Sequence, residues 1–376
     1  MKGKRIIALF LALAMVCLLA ACGTGEEKAE NKGPSTDENG TGIDPAEIAL
    51  KVNDKEIPWG QISYWVYFQM SQYYASAGTM PNLSAEIGNS GTYGEMMLAS
   101  AIKTATRYAA IDIYAEENGI ALLDVDKIGV DNYIKNLEEQ YGGAEAYDEA
   151  LKTMGCTRED FYEIQRQTFL SQRVYKTVYG AGGTNITEDA LADFSKQNGF
   201  VQAKAIIIMK ADEDGNLLDD AAMKAADTKI DEVNAKLTAW SKADNQGYDT
   251  LEAYFDALME EYNEDDTADY FPDGYLFKEG EMIDGAYQEV LATEEGSLTE
   301  VLKMEKADMV LLRLPIDYED TPFSYLSKVQ EGGSFSLRQY AATVMFDESV
   351  DSWAESVTAE TMPIVAGIDP AEYFNQ

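Results

Sequence analysis

"AKAIIIMK", residues 203 to 210, marks the place where the chain changes from helical sequence to sheet. The stretch is dominated by isoleucine, and the turn-forming segment "ADEDGN" follows it, which is the pattern of a buried strand. A second apolar run, "ADMVLLRL", occupies residues 307 to 314. Helix-like segments and a loop containing glycine and proline separate the two runs. Together they predict a small α/β unit over residues 200–316.

The sequence before this strand reads as helix over nearly all of residues 59–199. Glycines stand where successive periodic segments stop, as at Gly119 and Gly142, and glycine is the common residue just after a helix end. Thr157 and Asp160 have the spacing of a capping box at the start of a long helix. This region therefore predicts a helical domain with short connections.

These patterns define an α+β chain. We expect a helical domain over residues 47–199, completed by the helical tail at 317–376, with the α/β domain of residues 200–316 inserted between its two parts. A solute-binding lipoprotein of a transporter is the alternative from another class, and it needs repeated βα units around a ligand cleft. The long helical stretch argues against that alternative.

The N-terminus has the layout of a secretory signal. Residues 1–21 carry basic residues, then an apolar run, then small residues. "LAAC", ending at Cys22, resembles the lipobox of bacterial lipoproteins, in which the signal is cut before a cysteine that then carries lipid. An ordinary signal peptide is the alternative. Residues 22–46 are rich in glycine, serine, threonine and charge, which predicts a flexible tether.

Composition limits the partners. The formal net charge is −38, and it becomes −41 when Lys2, Lys4 and Arg5 leave with the signal. Such a charge argues against nucleic acid as a partner, and against an anionic lipid surface beyond the anchor. With 46% hydrophobic residues the chain is long and apolar enough for a substantial core.

No cofactor or metal is predicted. The chain has no histidine, so Cys156, alone in the mature chain, lacks the usual base for a nucleophilic thiolate and is assigned a structural role. "DEDGN" at residues 212–216 begins like a calcium loop, but its glycine comes too early and Met223 stands where the bidentate glutamate belongs. A solvated turn is the better interpretation.

The order of parts resembles the SurA/PrsA family of extracytoplasmic foldases. "KVNDKEI" from Lys51 is similar to the opening of that family, and residues 116–178 resemble its helical core segment by segment. The resemblance implies a helical chaperone domain that carries an inserted parvulin-type prolyl isomerase domain. It covers most of residues 48–316.

The same resemblance implies site residues in the inserted domain. "EYNEDD" and "PDGYLFKEGEM" place Asp265 on the acidic position of the active cleft, Phe277 on the aromatic of the loop, and Met282 on the wall of the proline pocket. Ala286 matches the pocket phenylalanine, although Tyr287 serves if the alignment slips by one residue. The two histidine positions of the family hold other residues here, which are Ala205 and Met309.

The resemblance, with these replacements, predicts a membrane-anchored extracytoplasmic chaperone whose parvulin-like domain has weak or no prolyl isomerase activity. Its partners are unfolded or newly secreted polypeptides, and the membrane through the lipid on Cys22. An active isomerase is the alternative within the family. The first domain also carries aromatic and methionine side chains that either fill its core or line an open client cradle: Trp65, Phe68, Met70, Tyr73, Tyr74, Met96 and Met97.

Overall fold

The structure is a computed structural model, and it describes residues 42–89, 91–241, 244–266, 268, 271–282, 285–319 and 336–374. The predicted signal, Cys22 and most of the tether lie outside the described residues. The helices and strands, in chain order, are β1 (Ile48–Val52), β2 (Lys55–Pro58), α1 (Trp59–Ala77), α2 (Tyr93–Glu117), α3 (Asp124–Tyr141), α4 (Ala144–Thr153), α5 (Arg158–Tyr179), α6 (Glu188–Gln197), β3 (Val201–Met209), α7 (Asp220–Ala239), α8 (Leu251–Tyr262), β4 (Tyr275–Phe277), α9 (Ala286–Ala292), β5 (Leu302–Lys303), β6 (Ala307–Leu314), α10 (Leu337–Ser356), β7 (Ala359–Thr361), α11 (Pro363–Ala366) and α12 (Pro370–Phe374).

The chain divides into two compact units. The first contains the described residues up to Gly180 and those from Met345 onward, and the second contains Ala181 to Val344. The predicted α+β class is confirmed, because helices dominate the first unit and the second is built on an antiparallel sheet. Helix α10 begins in the second unit and ends in the first.

A small sheet in the first unit joins the two ends of the chain. Its strand order is β2-β1-β7, and both pairings are antiparallel. The turn between β1 and β2 uses Asn53 at a φ of 51°, a conformation that asparagine tolerates. The side-chain oxygen of Asn53 accepts a hydrogen bond from the Thr358 amide at 2.9 Å. One turn residue therefore shapes the hairpin and also positions the start of β7.

The core of the first unit lies between its helices and this sheet. Trp59 is fully buried, and its indole donates a hydrogen bond of 2.8 Å to the Tyr373 hydroxyl. Farther along, Trp353 of α10 stacks on Tyr114 of α2 with ring centroids 3.8 Å apart. Arg107 of α2 forms ion pairs with two aspartates of α10. Residues near the C-terminus thus complete a core that the N-terminal helices begin.

The second unit is organised around a four-stranded antiparallel sheet with the order β4-β3-β6-β5. Strand β3 is central and pairs with β6 from Gln202, opposite Leu314, to Met209, opposite Ala307. One face of this sheet packs against α7 and α8 through Ile206 and Ile208. The other face carries the predicted site residues.

The compact units do not begin and end at the predicted domain boundaries. Helix α6 lies in the second unit, although the sequence placed residues up to 199 in the helical domain. The ring of Phe194 packs against Phe200 and Tyr340, and Arg338 donates to the Ile186 carbonyl at 2.6 Å. These contacts join α6 to the start of α10, over a sequence separation that local patterns do not report.

Candidate functional site

Five of the residues that the resemblance assigns to a parvulin site, at its histidine, loop and proline-pocket positions, share one face of the second sheet. Ala205, Phe277 and Met309 belong to one apolar cluster, and Met282 and Tyr287 pack against it. They share this face because side chains alternate along a strand, so the odd-numbered residues of β3 and β6 point to the same side. The fold therefore brings these predicted residues together.

The three strand residues of this group are core residues. Phe277 and Met309 are 0% exposed and Ala205 is 1% exposed. A substrate ring can bind only to side-chain surface that solvent also reaches. The resemblance implies a loop position for Phe277, but the structure places it in strand β4, with Val201 of β3 opposite. In this arrangement these side chains stabilise the sheet and offer no surface to a proline ring.

Met282 and Tyr287 are the accessible members of the group. Both are half-buried at the edge of the apolar cluster. The ring of Tyr287 meets that of Phe277 edge-on, with centroids 6.4 Å apart. Ala286, which stands at the pocket phenylalanine position in the first alignment, is 0% exposed. Tyr287 and Met282 are therefore the members of the group that solvent reaches, and the buried residues support them from behind.

Asp265 lies beside the middle of β3 in a segment that pairs with it. The Glu264 amide donates to the Ile207 carbonyl at 2.9 Å, and the Ile207 amide donates to the side chain of Asn263 at 2.8 Å. The Asp265 carboxylate accepts a hydrogen bond of 2.8 Å from the hydroxyl of Tyr275. Sequence reasoning missed Tyr275, whose only signal was its position two residues before Phe277.

This site has few means of acid–base chemistry. The chain contains no histidine, so Asp265 has no imidazole partner. Its carboxylate instead accepts a hydrogen bond from the Tyr275 hydroxyl. Prolyl isomerisation relies on an apolar pocket that fits the twisted amide better than the planar one. The deepest side chains of that pocket are already in contact with one another.

A second candidate site is an aromatic surface on the first unit, which we define as Trp65, Phe68 and Tyr108. All three side chains are half-buried. Trp65 stacks on Tyr108 with centroids 5.4 Å apart and meets Phe68 edge-on at 5.7 Å. The helices α1 and α2 hold these rings together and leave part of each ring accessible.

The other residues considered for a client cradle divide between core and surface. Met70 and Met97 are buried at 2% and 4% exposure, so they fill the core. Tyr73 and Tyr74 are half-buried, and Met96 is 45% exposed. Partly exposed rings and an exposed thioether are the side chains that can adapt to varied apolar partners.

Cys156 is a core residue. It is 3% exposed, and burial raises the pKa of its thiol well above the ordinary value, so the thiolate is disfavoured. Within the described residues, no group of three or more acids and cysteines is arranged to hold a metal ion. Nor does any helix in that part of the chain have the length and apolar character that a membrane crossing requires.

Comparison with known proteins finds likenesses among solved structures. PrsA from Bacillus subtilis is 15% identical, with 83% of this chain and 91% of that chain covered and a TM-score of 0.24. A peptidylprolyl isomerase (PrsA) from Bacillus cereus is 14% identical over 73% and 91% of the two chains, with a TM-score of 0.29. PEB4 and Cj1289 of Campylobacter jejuni, described as SurA-like chaperones, give a match at 11% identity over 84% and 99%, with a TM-score of 0.20.

These structures come from the group of proteins that the sequence resembles, so the predicted resemblance is confirmed. No family profile matches the chain, and no curated protein sequence matches it. At such identities and TM-scores the likeness carries no argument about activity, substrates or site residues. The function therefore has to be inferred from the chain's own side chains.

Proposed function

We propose that the protein is a membrane-anchored extracytoplasmic chaperone that binds unfolded or newly secreted polypeptides. Its second unit has weak or no prolyl isomerase activity and serves for binding or spacing. The main support for the chaperone proposal is the aromatic surface of Trp65, Phe68 and Tyr108, because it offers clustered apolar area on a folded unit.

The chemistry of that surface suits a holdase. Unfolded clients expose apolar segments of varied sequence, and aromatic rings offer large contact area at a low cost in side-chain entropy. Because each ring is accessible only in part, the affinity for any one segment stays modest and release stays fast. The net charge, −41 once the signal is removed, adds mutual repulsion between chaperone molecules, which keeps an apolar surface from self-association.

The proposal of weak isomerase activity is supported by burial and by composition. Phe277 and Met309 are 0% exposed, and no histidine is present to occupy either family position. Uncatalysed exchange of a prolyl bond takes tens to hundreds of seconds. We expect the purified protein to accelerate this exchange little in a proline peptide. A rate comparable to that of an active parvulin, lost on Asp265→Ala, would establish the alternative of an active isomerase.

The chaperone proposal is tested with a chemically reduced, unfolded secreted protein. The wild-type chain should suppress its aggregation, and Trp65→Gln should weaken that suppression, because it removes the central ring of the aromatic surface. Tyr248→Gln is the matched control, since Tyr248 is an exposed ring of the second unit. If circular dichroism shows that all three proteins are folded and they protect the client equally, client binding lies elsewhere. No protection by the wild type would refute the chaperone function.

The anchor is proposed on "LAAC" and the polar sequence after it. Cys22→Ala should release the protein from the membrane fraction or leave it unprocessed, because the lipid acceptor is gone. Cys156→Ala is the matched control for loss of a thiol, and it should fractionate like the wild type. Membrane fractionation and the mass of the mature N-terminus measure the outcome. A Cys22→Ala protein that matures and fractionates normally would refute lipid anchoring.

The solute-binding alternative is disfavoured by the sheets. Within the described ranges both sheets are antiparallel, whereas solute-binding folds use parallel βα units around their ligand cleft. A small-molecule thermal shift of the purified protein would revive this alternative.

A further inference from the structure

Among the residues that the structure describes, strand β7 pairs with β1 on one side and with no strand on the other, which leaves this edge of the first sheet open. The three residues of β7, Ala359 to Thr361, are exposed. The Asn53 amide donates to the Thr358 carbonyl at 2.8 Å, and the Met362 amide donates to the Ala49 carbonyl at 2.9 Å. Antiparallel pairing alternates, so Thr358, Glu360 and Met362 direct their backbone groups toward β1.

It follows that Ala359 and Thr361 direct their amide and carbonyl groups away from β1. No partner for these groups is found among the residues that the structure describes. Unpaired edge groups of this kind are a template on which another strand can form. Of the devices that protect edges, β7 has neither proline nor a bulge; its protection is its length of three residues and one charge, Glu360, and Pro363 comes only after it.

The side chains around this edge specify the chemistry of its partner. Glu56 of β2, Lys51 of β1 and Glu360 of β7 lie opposite one another in a row across the sheet. The Lys51 ammonium lies 2.8 Å from the Glu56 carboxylate, and Glu56 together with Glu360 raises the pKa of Lys51. The charges therefore alternate, and the next place in the row, beyond Glu360, favours a cation.

The opposite face of the same strands indicates which side chains the partner should carry on either side of its basic residue. Leu50 pairs with Thr361 and Val52 with Ala359, and both β1 side chains are 0% exposed. Ala359 and Thr361 thus lie on the core face of the sheet but are small and exposed. A strand added beside β7 would extend this face with its own side chains, and apolar side chains there would cover it.

A cavity at the end of β7 is lined by several carboxylates. It has a volume of about 680 Å³ and is lined in part by Ile364, Glu47, Asp369 and Glu372. The described residues that line it include no lysine or arginine. Pro363 and Ile364 follow β7 directly, so a peptide leaving the edge arrives beside carboxylates and isoleucines.

We propose that β7 binds an extended client segment of the pattern apolar-basic-apolar as an additional antiparallel strand, with the basic residue opposite Glu360. This inference rests on the proposed chaperone function and names the class of segment it selects. Antiparallel pairing matches the other strands of this sheet and is the more stable kind. A second copy is disfavoured, because the register that uses both outward residues would set Glu360 directly opposite its own counterpart.

The test uses fluorescent peptides and the purified full chain. A peptide containing Thr-Val-Lys-Val-Thr should bind, and Thr-Val-Glu-Val-Thr should bind about tenfold more weakly, because its charge repels Glu360. N-methylation of the two valines should abolish binding, since their amides lie in the hydrogen-bonded pairs. N-methylation of the lysine should not, because Glu360 belongs to a non-hydrogen-bonded pair on this side. Equal binding of all four peptides, or no saturable binding, would overturn the proposal.

Variants of the protein complete the test. Glu360→Lys should reverse the preference between the lysine and glutamate peptides, and Glu149→Lys, the same charge change on an exposed residue of α4, should leave it unchanged. An unchanged preference in Glu360→Lys would overturn the proposal. The proposal would also be overturned if the wild type formed a dimer that Glu360→Lys dissociates. If the wild type suppresses client aggregation but binds no peptide, only the edge inference fails. If it does not suppress aggregation, the proposed function itself fails.

Discussion

Truncation of Phe277 to alanine distinguishes a core residue from a pocket residue. The ring is 0% exposed and lies in β4 against the apolar face of the second sheet. Removing a fully buried phenylalanine costs about 3–5 kcal/mol, through lost burial and the cavity that remains. In an open proline pocket part of the ring would already be solvated, and the cost would be about 1–2 kcal/mol.

Hydrogen exchange measured by mass spectrometry reports this cost in the affected unit. Amides of β3 and β6, which pair along their whole length, should exchange more than about a hundredfold faster in Phe277→Ala. Peptides from α2, in the first unit, are the internal reference. Leu217→Ala is the matched control, because Leu217 is 48% exposed and its truncation should cost less than about 0.5 kcal/mol. Equal exchange in the two variants would refute the assignment of Phe277 to the core.

Two further predictions concern the first unit. Gly60→Ala should destabilise it by about 2–4 kcal/mol in urea unfolding, because the new Cβ would lie 2.7 Å from Cγ of Asp160. The Asp160 carboxylate caps α5, so its displacement would also weaken that cap. An unchanged urea midpoint would contradict this packing. Hydrogen bonds from Arg173 lower the pKa of Asp126, so this pair stabilises the folded state above the unfolded pKa and loses its effect as the pH falls through the folded one. Thermal unfolding should therefore show a loss of stability below about pH 4 that Arg173→Ala makes shallower, and identical profiles would contradict it.

The proposed loss of isomerase activity is compatible with an intact sheet. A sheet needs apolar side chains on a face that is packed, and Ala205 and Met309 satisfy this need at the two positions that the resemblance assigns to histidines. Replacing a polar ring by an apolar side chain removes a buried group that would require hydrogen-bond partners. A sheet of this kind therefore does not need polar rings at these two positions to keep its architecture.

The sequence by itself determined the elements whose signals are local. The buried strand at residues 201–209 follows from a run of β-branched side chains, and the start of α5 follows from Thr157 and Asp160, which form the predicted capping box. Such patterns work because a strand or a cap depends on residues close in the chain. The α+β class followed from the order of these elements.

The tertiary structure alone decided which apolar residues are accessible. Phe277 and Tyr287 are both aromatic residues near the same motif, yet one is 0% exposed and the other lies at the edge of the cluster. Burial depends on what packs above a side chain, and those neighbours come from distant segments. Tyr275, whose hydroxyl fixes Asp265, was missed for the same reason.

The open edge of β7 is also a product of the tertiary structure. Ala359, Glu360 and Thr361 form no apolar run and carry no strand signal of their own, and they become a strand because β1, at the other end of the chain, supplies the hydrogen bonds. The sequence contains both ends but not their pairing, because a strand's backbone groups can pair with any partner that the rest of the fold brings close. The row of Glu56, Lys51 and Glu360, and with it the predicted charge of the partner, exists only once that pairing has formed.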